Sequence, residues 1–268
     1  MSDRKYNSLP GIRSSHLKIM ASRSPRHYRH AVDSYGITPP SPAMQLGTAV
    51  HCAILEPDVF STQYVVYPGK IRRGAQWEEF QRLHGDHSII TASEREIAHV
   101  IADAVMAHRA ARDLLKHGSP EVPLFWDDPH TGLACKARAD WLCVDDRVMV
   151  GIKTTRETGD QFINQSARLM YHLSWAYYAD GYHANFGHDP SMYEISVETT
   201  APYDVVVYRI GDDVLVPGRA EYQRALGMIQ ECEASGLWPG YATEVVDMWI
   251  PAWATKRIFG DDGDWGVE

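Results

Sequence analysis

The chain has 268 residues, 44% of them hydrophobic and 23% charged, with a formal net charge of −9, a length that favours one sizeable α/β core over two separate domains. The acid excess argues against indiscriminate nucleic-acid binding but leaves room for a local basic groove. No apolar run approaches the roughly 20 residues of a membrane span, and MSDRKYNSLPG lacks the apolar stretch of a secretory signal, so the expected location is the cytoplasm, with no membrane partner.

Residues 1–45 are basic and polar, with Arg4, Lys5, Arg13, Lys18, Arg23, Arg26 and Arg29 among them. Ser14 opens one short helix and Ser24-Pro25 a second, either a solvated surface pair or a DNA-facing patch. A proline-rich joint, TPPSPAM, follows. Leu46 to Pro57 then reads as an apolar helix with Gly47, Val50 and Ile54 on one face and His51 close beside. A lone histidine on such a helix is more often a hydrogen-bonded core residue than a metal ligand. Beyond it come a short strand, TQYVVYP, a helix around Trp77–Leu83, and one long helix from Ser93 to Gly118, opened by Ser93 and Glu96 at capping-box spacing.

After Gly118 the apolar period switches from that of a helix to two. EVPLFW, GLACKARADWLCV and RVMVGIKTT read as three strands joined at Asp127-Asp128-Pro129 and Asp145-Asp146. Lys136, Arg138 and Asp140 share one face of the second, and Met149, Gly151 and Lys153 share one face of the third. A hairpin therefore brings Asp140, Gly151 and Lys153 to one surface. Hydrolysis of a phosphodiester needs hard divalent cations held by carboxylates, with a cation such as lysine beside them. Here the place two residues before the lysine, where a second acid would serve, is Gly151. Asp145 and Asp146 are turn residues, on the order of 16–20 Å away along an extended strand. A chain reversal after Lys153 would be needed to bring Glu157 or Asp160 into the gap.

The helix predicted over 161–185 carries Tyr171, Trp175 and Tyr178 at helical spacing, which more often means packing than base stacking; Tyr177 and Tyr182 are further groove candidates. MYEISVETT and YDVVVYRIG read as two more strands joined at Ala201-Pro202, and residues 212–236 as a helix with Tyr222, Leu226 and Ile229 inward. The tail holds Trp238, Trp249, Trp253 and Trp265. Cys52, Cys135, Cys143 and Cys232 lack CxxC spacing and read as buried thiols.

SSHLK, SPRHY, GTAVHCAILEP, Phe60, Glu121, GLACKARAD, IKTT and YHLSWAYYADGY occur in an order that resembles the phage and prophage exodeoxyribonuclease VIII family, the RecE-type branch of the PD-(D/E)XK nucleases, over roughly residues 8–240. The resemblance implies an α/β restriction-endonuclease-like core, a mixed central sheet flanked by helices. Together with the basic composition of its start, this divides the chain into a basic segment (1–45), a nuclease-like domain (46–240) and a tail (241–268). The resemblance also implies that His51 and Asp140 hold Mg²⁺ or Mn²⁺, that Lys153 is catalytic, and that Glu121 is an acid of the neighbouring strand. Gly151 and Ser174 depart from the family pattern, Ser174 standing where a glutamine is usual. The implied activity is resection of double-stranded DNA ends in a bacterial host, weakened by the missing acid, by a homo-oligomer that passes single strands to a phage annealing protein. The alternative is a silent nuclease scaffold that binds DNA ends or a partner. Lys136, Arg138, Arg168 and Tyr178 are the candidate DNA contacts.

Overall fold

The computed structural model describes residues 3–34, 41–69, 71–85 and 87–254. Five helices lead, α1 (Asp3–Ser8), α2 (Ser14–Ser22), α3 (Pro25–Asp33), α4 (Pro42–Leu55) and α5 (Pro57–Gln63), followed by β1 (Tyr64–Tyr67), α6 (Ala75–Leu83), β2 (Ser88–Thr91), α7 (Ala92–Ala107) and α8 (Arg109–Leu114). Then come β3 (Ser119–Asp127), β4 (Ala134–Cys143), β5 (Val148–Thr155), α9 (Gly159–Arg168), α10 (Tyr171–Phe186), β6 (Ser191–Glu198), β7 (Val205–Ile210) and α11 (Asp212–Ser235). Strands β3 to β7 form one sheet in chain order, antiparallel except for the parallel pair β5–β6. That parallel pair requires a crossover, which α9 and α10 provide. The result is a mixed sheet flanked by helices, as the sequence implies.

Both faces of the sheet are covered. On one, Leu17 and Met20 of α2, Tyr28 of α3, Leu173 and Tyr177 of α10 and Leu226 of α11 pack against Ala137, Ala139 and Met149. On the other, Val50 and Ile54 of α4 and Ile101 of α7 pack against Val150, Ile152 and Ile195. The residues of α2 and α3 therefore contribute to the main core, while Arg23, Arg26, Arg29 and His30 stay exposed. The chain ahead of α2 is tied in as well: Ile12 pairs with β4 through Ile12 N–H to Ala134 O (2.8 Å) and Lys136 N–H to Ile12 O (2.9 Å).

Several boundaries differ from the sequence reading for local reasons. Helix α4 begins at Pro42, with the Ser41 hydroxyl accepting from Met44 N–H at 3.3 Å, because proline at the first helical position needs no N–H partner. The capping box lies at Thr91 and Glu94, not Ser93 and Glu96, because the unforeseen strand β2 pairs in parallel with β1 up to Thr91. The long helix is broken at His108, whose Nδ1 accepts from Ala111 N–H and caps α8. Met170, at φ +54°, breaks the helix predicted over 161–185 into α9 and α10. Tyr177 and Tyr182 are fully buried and so line no groove. Cys135, Cys143 and Cys232 are buried free thiols and Cys52 is half-buried. Trp249 and Trp253 are exposed, whereas Trp265 and the first three residues of the TPPSPAM joint lie outside the described residues. Among the described residues, no helix is long and apolar enough to cross a membrane.

Candidate active site

Strands β4 and β5 pair through only three positions, Trp141 with Val150, Leu142 with Met149 and Cys143 with Val148. Beyond Trp141 the two strands part, and the Asp140 carboxylate bridges the opening by accepting the Ile152 N–H at 2.9 Å. A ladder bond is thus exchanged for a charged acceptor at the sheet surface. Lys153, on the same side of β5, places Nζ 3.6 Å from Asp140 Oδ2. A cavity of about 200 Å³ lies over this point, with Lys18 of α2 and Tyr171, Ser174, Trp175 and Tyr178 of α10 on its walls.

On the other side of Asp140 stand His51, from α4, and Glu121, from β3. One ligand atom from each of His51, Glu121 and Asp140 can be chosen so that all lie within 4.8 Å of one another, and His51 Nδ1 is 3.9 Å from Asp140 Oδ2. Glu121 adopts φ +52°, a left-handed conformation that costs a non-glycine residue of order 1–3 kcal/mol and that concentrates at functional sites. Its carboxylate is also held by Arg138, Nε to Oε2 at 2.5 Å.

The protonation states suit a cation site. Burial lowers the His51 pKa more than the nearby Asp140 raises it, leaving a neutral imidazole with a lone pair to offer. Burial alone would raise the Asp140 pKa, but Lys153, His51 and the Ile152 N–H together hold it below the usual carboxylate range. Lys153 is the reverse case. Burial works against its charge, yet Glu194 and then Asp140 hold it well above the ordinary lysine value, so it is an ammonium.

That Glu194, on β6, was not foreseen. It is 1% exposed, lies on the cavity wall, and has Oε1 3.6 Å from Lys153 Nζ. Its signal in the sequence is a charged residue in the middle of an apolar strand, MYEISVE, on the face shared with Met192 and Ser196. The acids considered as substitutes for the missing carboxylate lie elsewhere. Asp145, Asp146, Glu157 and Asp160 are exposed, and Glu157 borders a separate polar pocket with Arg168.

The four predicted DNA contacts divide. Lys136 is 2% exposed, and its ammonium donates to the backbone carbonyls of Tyr6 (3.1 Å) and Leu9. It anchors the N-terminal segment and cannot reach a phosphate in this arrangement, which corrects the sequence reading. Arg138 faces Glu121. Arg168 is exposed beside Arg156, and Tyr178 is half-buried on the wall of the cavity.

A family model described as "PDDEXK-like domain of unknown function (DUF3799)" matches residues 14–248. The fold is similar to a crystal structure of a "Putative exonuclease" from Eubacterium rectale, with a TM-score of 0.68 at 12% identity, covering 97% of this chain and 98% of that one. No curated protein matches the chain.

Proposed function

Since the chain belongs to the family of PDDEXK-like domains of unknown function, we propose that it is a metal-dependent nuclease that degrades duplex DNA from its ends. The observation that carries this reading is Asp140, flanked by His51 and Glu121 on one side and by Lys153 on the other. A hard divalent cation, Mg²⁺ or Mn²⁺, fits the donor set of one neutral imidazole and two carboxylates. Such an ion supplies a water of lowered pKa and neutralises charge on a phosphate.

The chain's own groups supply the rest. Lys153, fixed as an ammonium between two carboxylates, is a stabiliser of developing negative charge and cannot accept the proton of an attacking water. Lys18 reaches the same cavity, with its Nζ 4.6 Å from the Tyr171 ring centroid. Burial, followed by repulsion from Lys153, brings its pKa down to about 8. It therefore carries charge at neutral pH that a phosphate would hold in place.

The preference for ends, and for a RecE-type role in recombination, rests on the ordered motifs. In that role the product strand passes to an annealing protein and copies of the chain assemble around DNA. Purified protein is expected to release nucleotides from linear duplex with Mg²⁺ or Mn²⁺, to stop on chelation, and to spare closed circles. Asp140→Asn should abolish the release. Equal attack on closed circles would overturn the end preference. Intact linear DNA under every metal would overturn the nuclease reading and favour the silent scaffold, which the glycine at position 151 otherwise suggests.

A further inference from the structure

The carboxylate expected two residues before Lys153 is absent from the chain position but not from the space. In the parallel pairing of β5 and β6, the partner of Gly151 is Glu194. A Cβ built on Gly151 would lie 2.5 Å from Glu194 Oε2 and 2.9 Å from both its Cδ and Oε1. No real Cβ approaches a carboxylate so closely. The Glu194 carboxylate thus occupies the volume that a side chain at position 151 would fill.

The Glu194 carboxyl group is held at one oxygen and incompletely satisfied at the other, and burial raises its pKa against the opposing pull of Lys153. Oε2 accepts the Trp175 indole N–H at 2.5 Å. Oε1 is buried and accepts no hydrogen bond from the described residues, among which its nearest opposite charge is Lys153 Nζ at 3.6 Å. Leaving a buried carboxylate oxygen in that state costs free energy, and a cation in the adjoining cavity would recover it. Trp175 fixes one oxygen, so the other is presented in a set orientation toward the region of Lys153.

We propose that Glu194 is a further metal-binding carboxylate of the site, beside Asp140 and Glu121, supplied by β6 in place of residue 151, and that residue 151 is glycine because any side chain there would displace it. The missing acid of the motif is then not a lesion. A chain with glycine at 151 and a buried glutamate opposite has the same number of carboxylates as one with an acid at 151. The inference rests on the nuclease reading for the reaction served, but the metal contact can be measured without it. The competing role is purely structural, with Glu194 acting only as counter-ion to Lys153 and acceptor for Trp175.

The test is Mn²⁺ binding by calorimetry on the full chain, beside digestion of linear duplex. Glu194→Gln keeps an oxygen for the Trp175 N–H and removes only the charge. It is expected to bind Mn²⁺ at least about tenfold more weakly than the unmodified protein, as loss of a ligand charge or its support does elsewhere. Gly151→Asp, which restores the motif in the sequence, is expected to weaken Mn²⁺ binding and digestion rather than improve them. The pair Gly151→Asp with Glu194→Ala, which moves the acid back across the strands, should bind Mn²⁺ more tightly than Glu194→Ala alone. Mn²⁺ affinity unchanged in Glu194→Gln would overturn the assignment, and so would tighter binding by Gly151→Asp alone. If the unmodified protein leaves DNA intact while Glu194→Gln still loses Mn²⁺, the nuclease reading falls and Glu194 stands as a ligand. If the unmodified protein digests DNA and Glu194→Gln binds Mn²⁺ equally well, the reverse holds.

Discussion

At the scale of single residues, Lys153 has two opposing effects. Lying 3.6 Å from both Asp140 and Glu194, it neutralises two carboxylates that would otherwise repel across a cavity, and for the same reason it competes with a metal for them. Lys153→Met should therefore lower the metal-free melting temperature by several degrees, as removal of one partner of a buried charge cluster does. Mn²⁺ should restore more of that loss in the variant than it adds to the parent. Digestion of DNA should fall by about a hundredfold or more, since a fixed cation no longer faces the developing charge. Melting curves with and without Mn²⁺ check the first two points; an unchanged metal-free melting temperature would mean that the carboxylates are neutralised some other way. Most of the residues around Lys153 were legible in the sequence because one hairpin carries Asp140, Gly151 and Lys153 at fixed strand spacing. Glu194 was not, since its place depends on the register of a parallel strand joined to β5 by two helices, and no local spacing encodes that register.

Among the elements, the contact that matters most for the site is the crossing of α10 and α11. A Cβ on Gly218 would lie 2.1 Å from the carbonyl oxygen of His172 and 2.6 Å from its carbonyl carbon, so the two helices meet backbone to backbone, and backbone cannot rotate away as a side chain can. On the far face of α10 sit Trp175 and Tyr178, which line the cavity. Gly218→Ala must push the helices apart and is expected to destabilise the fold by about 1–3 kcal/mol, the usual range for overpacking. Tryptophan emission should change at the same time, because Trp175 loses its set position against Glu194. Urea unfolding followed by fluorescence reads both, and a variant as stable as the parent would show that the crossing is not tight. Helices α10 and α11 were readable from their apolar spacing, but a glycine inside a helix says nothing by itself about what presses on it. The breaks at His108 and Met170 escaped for a related reason: neither residue type carries a breaker signal.

At the scale of the whole molecule, the segment ahead of the sheet closes one of its faces. Ile12 extends β4 at Cys135, Tyr177 donates its hydroxyl to Ile12 O at 2.8 Å, and Lys136 and His16 are enclosed with it. Burial, with added repulsion from Arg13 and Lys136, brings the His16 pKa down to about 4. In the unfolded chain the same group titrates near 6.5, so between pH 6.5 and 4 the unfolded state takes up a proton that the folded state refuses. Stability from this source is full above about pH 6.5 and declines as pH falls through that window, by about 2 kcal/mol at pH 5. His16→Gln should flatten this part of the profile, as read from urea midpoints at pH 7 and pH 5; an equally steep decline would show that other groups set it. The positive residues of the segment were visible in the sequence, but not that one side of α2 and α3 is core, because short helices with few apolar positions do not declare what covers them.

The parallel alignment of β5 with β6 also sets the order in which the proposed ligands are made. A chain emerging from the ribosome as far as Thr155 already contains His51, Glu121, Asp140 and Lys153, yet Glu194 is still unsynthesised, and α9 and α10 must be made before β6 can dock. If Glu194 is a further ligand beside Asp140 and Glu121, a stalled or truncated translation product holds the recognisable motif without a complete set of carboxylates. On that proposal, the full set of ligands exists only once synthesis has passed residue 194 of the 268.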